Sequence, residues 1–420
     1  MCADTFEFKP GALSGRIEAR ASKSELHRAL LMGCLCDRPT RLKGVAGTLG
    51  DDIVATIGGL GLLNGDVRRD GSDMIVSPAT GKTGDVLDCI ESGSTLRFML
   101  PLLGTIRNRQ EPILCQGQGR LPERPLGELL AVLRANGMEF SKDRLPFQIG
   151  GRLRPGVYEL PGNISSQYIS GLLMALPLLS NNSELRLTTA LESSTYVDMT
   201  LSIQEQFGVF VQRTGEGWSI PGGQVYRSPG ELAIGGDWSN GALWLCRGVL
   251  AGEIEVMNLS LSSHQGDKLI VDILRRFGSS IEVTGNGIRA TGGDLHGIEV
   301  DVRETPDLLP VLAVVACGCL GETRFVRAGR LRMKESDRLS STATLLRDLG
   351  GDVEEFSDGL LVRGSGSLRG GQCRSFNDHR LVMASCVASA IAQSPVVISG
   401  AQAIAKSYPE LMEDYALLTD

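Results

Sequence analysis

The chain has 420 residues, of which 42% are hydrophobic and 22% charged, and its formal net charge is −7. This length exceeds what one hydrophobic core usually holds, so we expect a globular protein of two domains. The acidic balance argues against nucleic acid as the principal partner, and no apolar run has the length of a membrane span. The N-terminus lacks the basic and apolar segments of a signal peptide, so we expect a cytoplasmic protein.

A polar tag followed by an apolar helix and a strand recurs at intervals of roughly seventy residues. The six tags begin at Ser22, Ser92, Ser165, Trp238, Thr305 and Asn377. The pattern after the tags predicts helices over 168–179, 241–250 and 381–391. It predicts strands over 184–191, 253–261, 322–326 and 395–399.

A second polar tag opens a second, amphipathic helix in each repeat. These tags lie at 47–52, 120–125, 193–198, 262–267, 334–338 and 406–409. Each repeat therefore contains, in order, a strand, a helix, a strand, a helix and two strands. Both helix N-termini carry polar residues, at a place where free backbone N–H groups and the helix dipole favour an anion.

The two ends of the chain complement each other. Strand-like pieces at 6–9 and 12–18 precede the first tag, while the sixth repeat ends without its last strands. We therefore predict that the leading strands complete the sixth repeat. Residues 1–21 with 235–420 then form a C-terminal domain, and 22–234 form an N-terminal domain. The predicted fold is α/β, with three βαβαββ units in each domain and helix N-termini facing an interdomain cleft.

Cationic residues gather at the helix starts although the whole chain is acidic. The charged segment 332–338 opens one helix, and equivalent places in other repeats carry Lys23, Arg28, Arg97, Arg124, Arg380 and Lys406. This clustering concentrates positive potential and predicts a ligand with several phosphate or carboxylate groups. The remaining tags carry hydroxyl and amide groups that suit a polyhydroxylated or ring-bearing anion, at Ser165, Ser166, Gln167, Ser193 and Tyr196.

Two carboxylates, Asp307 and Glu335, stand among these cations. They are either charge partners of the lysines and arginines or a general acid and base, because nearby cations and burial set carboxylate pKa values apart. The four histidines lack metal-ligand spacing, so we expect no metal. The cysteines in apolar runs, among them Cys34, Cys36, Cys317 and Cys319, are predicted to be buried thiols.

Seven segments at these tags resemble the signature segments of the 5-enolpyruvylshikimate-3-phosphate synthase family. They are 22–30, 92–97, 123–127, 165–167, 334–338, 377–380 and 405–409. The resemblance covers essentially the whole chain, in order. It implies two domains that close on substrate, and transfer of the enolpyruvyl group of phosphoenolpyruvate to the 5-hydroxyl of shikimate 3-phosphate with release of phosphate. It also implies the shikimate pathway, no cofactor or metal, no nucleic-acid or membrane partner, a monomer, and competition by the herbicide glyphosate at the phosphoenolpyruvate site.

The resemblance also implies residue roles. The residues that would hold phosphoenolpyruvate are Lys23, Gly93, Arg124, Gln167, Arg338, Arg380 and Lys406. Those that would hold shikimate 3-phosphate are Ser24, Arg28, Ser165, Ser166, Gln167, Ser193, Tyr196, Asp307 and Lys334. Arg97 would support the turn at Gly93. For catalysis we expect Glu335 to deliver a proton to carbon, Asp307 to take one from the hydroxyl, and Lys23 to assist addition and elimination.

Three alternatives remain. A transferase acting on UDP-N-acetylglucosamine carries a Cys a few residues before the Arg-Pro pair, where this chain has Gly119. A non-catalytic anion-binding homologue would have no reason to keep Lys23, Asp307, Glu335 and Arg338 together. RNA 3′-phosphate cyclases share related folding units, but the acidic composition weighs against RNA.

Overall fold

The computed structural model describes residues 4–78, 84–106 and 111–419. The chain divides into two compact units. We call residues 1–20 with 235–420 the terminal unit and residues 21–234 the central unit. Ala21, which the sequence pattern grouped with the chain ends, belongs to the central unit. Every helix among the described residues is too short or too polar to traverse a lipid bilayer.

The chain begins with β1 (Thr5–Phe8) and β2 (Leu13–Glu18) of the terminal unit and then builds the central unit. The first repeat there has α1 (Lys23–Cys34), β3 (Thr40–Lys43), α2 (Asp51–Leu60), β4 (Gly65–Asp70) and β5 (Asp73–Pro78). The second has β6 (Val86–Asp88), α3 (Gly93–Gly104), β7 (Ile113–Gln116), α4 (Gly127–Ala135), β8 (Met138–Phe140) and β9 (Phe147–Gly151). The third has β10 (Val157–Leu160), α5 (Ser166–Ala175), β11 (Ser183–Leu187), α6 (Ser194–Gln206), β12 (Gln212–Arg213) and β13 (Gly217–Ile220), and β14 (Glu231–Ala233) follows it.

The terminal unit then continues with three repeats of its own. The fourth repeat has α7 (Trp238–Leu250), β15 (Gly252–Met257), α8 (Ile270–Arg276), β16 (Ser279–Val283) and β17 (Gly287–Gly293). The fifth has β18 (Glu299–Asp301), α9 (Leu309–Gly318), β19 (Leu320–Val326), α10 (Arg338–Asp348), β20 (Asp352–Phe356) and β21 (Gly359–Ser365). The sixth has β22 (Gly371–Arg374), α11 (His379–Ala388), β23 (Val396–Ser399) and α12 (Leu411–Leu417).

One pairing rule governs the four-stranded sheets. In the second repeat, for example, β6 pairs parallel with β7, which pairs antiparallel with β9, which pairs antiparallel with β8. Strands distant in sequence complete two of these sheets, because β14 pairs parallel with β3 and β2 pairs parallel with β15. β1 pairs antiparallel with β23. The prediction that the leading strands complete the sixth repeat is therefore right for β1 and wrong for β2, which joins the fourth.

The observed helices start earlier than the apolar periodicity predicts. α5 starts at Ser166, α7 at Trp238 and α11 at His379. The side chain of the residue before each start accepts a hydrogen bond from a backbone N–H of the first turn. The polar tag therefore forms the N-terminus of the helix. α5 also ends earlier, because Pro177 lies in a 3₁₀ turn over Leu176–Leu178.

Each unit has its own hydrophobic core. In the central unit α3 and α5 lie very close together at Gly171, where an added Cβ would come within 2.4 Å of the backbone oxygen of Arg97. Only glycine allows this approach. It brings the starts of α3 and α5 side by side. The four cysteines predicted to be buried thiols are buried and free.

A buried polar chain ties the last helix of the terminal unit to its first segment. Asp414, 1% exposed, accepts hydrogen bonds from Arg20 Nε at 3.1 Å and from the Tyr408 hydroxyl at 2.6 Å. The indole N–H of Trp244 donates to that hydroxyl at 2.9 Å. This chain of hydrogen bonds therefore joins three parts of the sequence through one buried carboxylate.

The substitution Asp414→Ala should destabilise the chain by about 2–4 kcal/mol, because it leaves the buried Tyr408 hydroxyl without its acceptor and leaves Arg20 with Glu410 as its carboxylate partner. Urea unfolding followed by circular dichroism measures this. Glu413→Ala, on the exposed side of the same helix, is the matched control and should change stability by less than about 0.5 kcal/mol. Equal stability of the two variants would contradict the role given to Asp414.

Candidate active site

In the central unit, ion pairs and hydrogen bonds join the starts of α1, α2 and α3. Lys23 Nζ lies 2.7 Å from Asp52 Oδ2, which links α1 to α2. The Thr95 hydroxyl lies 3.3 Å from the backbone oxygen of Asp52, and Ser92 caps α3 by accepting the Thr95 N–H at 3.1 Å. The sequence analysis included Asp52 in a tag but did not identify it as the partner of Lys23.

Two guanidinium groups lie over the first residue of α3. A Cβ added at Gly93 would come within 2.3 Å of Arg97 Nη1 and 2.8 Å of Arg124 Nη1. Arg97 Nη1 also donates to Gln167 Oε1 at 3.0 Å, and Gln167 Nε2 donates to Ser94 Oγ at 2.9 Å. Four residues singled out in the sequence thus meet at one helix N-terminus, which is an arrangement suited to an anion.

Arg28 is a buried cation that connects α1, α5 and α6. It donates to Thr200 Oγ1 at 2.7 Å, to Ser170 Oγ at 3.3 Å and to the backbone oxygens of Ser24 at 2.7 Å and Tyr196 at 3.0 Å. Burial lowers the pKa of Arg28 to about 10, so the side chain stays charged at neutral pH. Because these acceptors are neutral oxygens, the charge of Arg28 favours an anion nearby. The sequence analysis missed Thr200 and Ser170, whose only signal is a hydroxyl on a buried helix face.

The remaining predicted residues of the central unit begin α5 and α6. Ser165 caps α5 by accepting the N–H of Gln167 at 3.3 Å, and Ser166 is the first residue of that helix. Ser193 precedes α6 with φ of +52°, a left-handed conformation that costs a non-glycine residue free energy. Tyr196 follows in the first turn of α6. All of these side chains therefore sit at helix starts.

In the terminal unit, Arg338 binds three carboxylates. Its guanidinium donates to Asp307 Oδ1 at 2.6 Å, to Glu335 Oε2 at 2.6 Å and to Asp378 Oδ2 at 2.8 Å. Its side chain is 1% exposed and that of Asp378 is fully buried. Ser336 also donates to Asp378, at 3.0 Å. The structure thus brings together both candidate acid–base residues, and it adds Asp378, to which the sequence analysis gave no role.

Asp307 is surrounded by cations. Besides Arg338, it lies 3.5 Å from Lys334 Nζ and 3.5 Å from Arg380 Nη2. Burial alone would raise the pKa of Asp307, but the charges of Lys334, Arg338 and Arg380 outweigh burial and hold that pKa well below its usual range. Burial lowers the pKa of Lys334, against the effect of Asp307. Asp307 is therefore ionised, and it neutralises cations that are otherwise available to a ligand.

Two further cations lie at the start of α11. The backbone N–H of Arg380 donates to Asp378 Oδ1 at 2.9 Å, which caps the helix. Lys406, at the end of a 3₁₀ helix over Ala401–Lys406, donates to the backbone oxygen of Asn377 at 2.6 Å. The predicted residues of the terminal unit, Asp307, Lys334, Glu335, Arg338, Arg380 and Lys406, are therefore connected through shared contacts around α9, α10 and α11.

The chemistry available in each unit follows from these contacts. The central unit offers lysine, arginine, amide and hydroxyl groups at helix N-termini, which can bind phosphate and carboxylate oxygens. The terminal unit offers arginines and lysines with two carboxylates that contact the same guanidinium, which can accept and donate protons beside a bound anion.

Comparison with known proteins identifies the family of this chain. A protein-family model described as EPSP synthase (3-phosphoshikimate 1-carboxyvinyltransferase) matches residues 8–415. The curated 3-phosphoshikimate 1-carboxyvinyltransferase of Clostridium acetobutylicum is 38% identical over 97% of this chain and 96% of its own. That of Clostridium novyi is 36% identical over 97% and 95%.

The solved structures agree on the fold. EPSP synthase from Acinetobacter baumannii has a TM-score of 0.80 at 23% identity, covering 99% of this chain and 98% of its own. The enolpyruvyl transferase NikO from Streptomyces tendae has a TM-score of 0.78 at 17% identity, covering 99% and 97%. The fold is thus that of the enolpyruvyl transferases, as the sequence predicts, and the chain belongs to the EPSP synthase (3-phosphoshikimate 1-carboxyvinyltransferase) family.

Proposed function

We propose that the chain transfers the 1-carboxyvinyl group of phosphoenolpyruvate to the 5-hydroxyl of shikimate 3-phosphate and releases phosphate. The family match supports the reaction, which lies in the shikimate pathway to aromatic amino acids. The observation that carries the residue-level proposal is the contact of one buried guanidinium, Arg338, with both Asp307 and Glu335. We also propose that the two compact units are domains and that the protein is a cytoplasmic monomer.

Phosphoenolpyruvate is a compact anion with a phosphate and a carboxylate, and it requires several cations. We assign its binding to the residues whose charges or amides meet at helix starts, namely Lys23, Gly93, Arg124, Gln167, Arg338, Arg380 and Lys406. Gly93 leaves open the place where Arg97 and Arg124 converge. Arg97, held by Gln167, supports that arrangement.

Shikimate 3-phosphate adds hydroxyls and a ring to a phosphate. We assign its phosphate and hydroxyls to the hydroxyl and amide groups at the starts of α1, α5 and α6 together with Asp307 and Lys334. The full set is Ser24, Arg28, Ser165, Ser166, Gln167, Ser193, Tyr196, Asp307 and Lys334. The buried charge of Arg28, which donates to neutral oxygens, supports an anionic substrate.

In the addition, the hydroxyl oxygen bonds to carbon 2 of phosphoenolpyruvate, one proton is added to the methylene carbon, and one is removed from the hydroxyl. In the elimination, the C–O bond to phosphate breaks and one proton leaves the new methyl group, which restores the methylene. We assign proton delivery to the carbon to Glu335 and proton removal from the hydroxyl to Asp307, and Lys23 assists addition and elimination. An Asp whose pKa is held low is a weak base. Because a substrate anion that binds Lys334 and Arg380 draws their charge away from Asp307, binding raises the pKa of Asp307 toward the value a base needs.

No step in this scheme requires a redox group, since the reaction transfers protons and the carboxyvinyl group, releases phosphate, and transfers no electrons to or from a cofactor. The arginines and lysines stabilise the departing phosphate. The competing assignment to UDP-N-acetylglucosamine finds less support, because Gly119 occupies the place of the Cys that this sister enzyme carries.

Substrate identity is tested by phosphate release. With phosphoenolpyruvate present, shikimate 3-phosphate should support rapid release of inorganic phosphate, while UDP-N-acetylglucosamine should support none above background. Turnover with the nucleotide sugar, or with neither acceptor, would overturn the proposal.

The acid–base assignment predicts that Glu335→Gln and Asp307→Asn each lower kcat at least about a hundredfold, because each removes one proton transfer. Steady-state phosphate release measures this. Glu322→Gln and Asp352→Asn repeat the same chemical changes on exposed residues paired with Arg363, and should leave kcat within about twofold. Near-normal turnover of either site variant would remove that residue from the scheme.

The position of Gly93 predicts that Gly93→Ala raises the KM for phosphoenolpyruvate at least about tenfold, since the added methyl displaces two guanidinium groups. Gly58→Ala is the control, because a Cβ at that helical position meets no atom within 4 Å. An unchanged KM in Gly93→Ala would show that the arrangement of Arg97 and Arg124 over Gly93 does not serve the binding of this substrate.

A further inference from the structure

A buried carboxylate outside the assigned site lacks the partner that its repeat counterpart has. In the first repeat Asp52 pairs with Lys23, 29 residues earlier and just after the N-cap residue of α1. In the fourth repeat Asp267 lies 30 residues after the N-cap residue Asp237, as Asp52 lies 30 residues after Ser22. The place of the lysine is taken by Trp238, whose indole donates to the backbone oxygen of Ser260 instead.

The Ser239 hydroxyl is the one hydrogen-bond partner of the Asp267 side chain among the described residues. The side chain is 1% exposed, and its Oδ2 accepts the hydrogen bond from Ser239, which lies in the first turn of α7. Its other oxygen, Oδ1, has no hydrogen-bond partner among the described residues. A buried acceptor without a partner is uncommon and costs free energy unless a ligand or proton satisfies it.

Two of the charged groups that act on Asp267 belong to the candidate site, namely Asp307, before α9, and Arg380, in the first turn of α11. The third is Asp237, the N-cap residue of α7. Arg380 contacts Asp307 at 3.5 Å through Nη2, while its Nε is buried with no hydrogen-bond partner among the described residues. The charge of Arg380 is therefore shared by the two carboxylates, acting on Asp307 through a 3.5 Å contact and on Asp267 without an ion pair among the described residues.

This sharing makes the proton affinity of Asp267 depend on what else binds Arg380. Burial, together with the charge of Asp307, raises the pKa of Asp267 to about 7, against the opposing effects of Arg380 and the Ser239 hydroxyl. At neutral pH the carboxyl is thus close to its midpoint. An anion that binds Arg380 adds negative charge beside Asp267 and favours the protonated form.

We propose that Asp267 is a positioning residue for Arg380. Its carboxylate is the counter-charge of Arg380, and this carboxylate takes up one proton from solvent when an anionic substrate group binds Arg380. The inference rests on the proposed function insofar as phosphoenolpyruvate is that anion. The proton comes to Oδ1, and the hydrogen bond of Ser239 to Oδ2 is kept. Loss of the carboxylate charge releases the full charge of Arg380 to the substrate.

The experiment is titration calorimetry of the full chain with phosphoenolpyruvate at pH 7, in two buffers of different ionisation enthalpy. Because the phosphate of the ligand also titrates near this pH, the difference between the wild type and Asp267→Asn reports on Asp267. The wild type should take up about 0.4 more protons than the variant if binding raises the pKa by about one unit. The KM for phosphoenolpyruvate should rise between pH 6 and 8 about fivefold more in the wild type than in Asp267→Asn.

Asp272→Asn, the same change on the exposed side of α8, is the matched control and should behave like the wild type. Ser239→Ala tests the inference with Asp267 intact. Loss of the hydroxyl removes a bond that favours the ionised carboxyl, so the midpoint of the KM profile should move to higher pH. A purely structural role would leave the midpoint in place.

The outcomes separate the two proposals. Turnover with equal proton uptake and equal pH profiles in wild type and Asp267→Asn overturns the inference alone, as does an unmoved midpoint in Ser239→Ala. Absence of both turnover and phosphoenolpyruvate binding overturns the proposed function and the inference with it. If Asp267→Asn does not fold, the midpoint of Ser239→Ala decides.

Discussion

The buried guanidinium of Arg338 is the interaction on which the candidate site of the terminal unit depends. It donates to Asp307, Glu335 and Asp378 at 2.6–2.8 Å and is almost wholly shielded from water. These carboxylates lie before α9, before α10 and at the N-cap of α11, so one side chain fixes three helix starts. Removal of such a partner leaves buried charges uncompensated, at a cost of about 3–5 kcal/mol.

The same principle explains how an acidic chain can hold a cationic site. Each unit gathers its cations at helix N-termini, where the dipole by itself repels them. Internal carboxylates and carbonyl groups offset that repulsion, as Asp52 does for Lys23 and Asp307 does for Lys334. An anion bound at these helix starts would compete with the internal carboxylates for their cations. The loss of a cationic partner would raise the pKa of the carboxylate left behind.

The sequence predicts the repeat and identifies most of the polar residues near helix starts, because a capping tag before an apolar run is a local signal that occurs six times in the chain. It predicts the first residue of each helix less well, since periodicity counts only apolar residues and α7 and α11 begin within their tags. It also assigns β2 to the wrong repeat. The pairing of Leu13 with Gly252 leaves no local signal in the sequence, because the two strands lie in distant parts of the chain and meet only when the fourth repeat has folded.

The polar partners of the site were the least predictable part. Arg28 binds Thr200 at a separation of 172 residues, and nothing in either segment indicates the other. Asp378 lies within a recognised tag, but its contact with Arg338 depends on the packing of α10 against α11. Such contacts form only when the helices pack together. The local sequence pattern therefore indicates which polar residues belong to the site, and tertiary packing determines which of them contact one another.

The exchange of strands between distant parts of the chain has a consequence for biosynthesis. The central unit has all of its strands once residue 233 has emerged from the ribosome, since β14 closes the sheet that β3 began. The strands in residues 1–20 can pair only later. The partner of β2 is β15, and the partner of β1 is β23, which ends at Ser399. The two leading strands therefore stay unpaired during synthesis until their partner strands, which follow the central unit in the sequence, have been made.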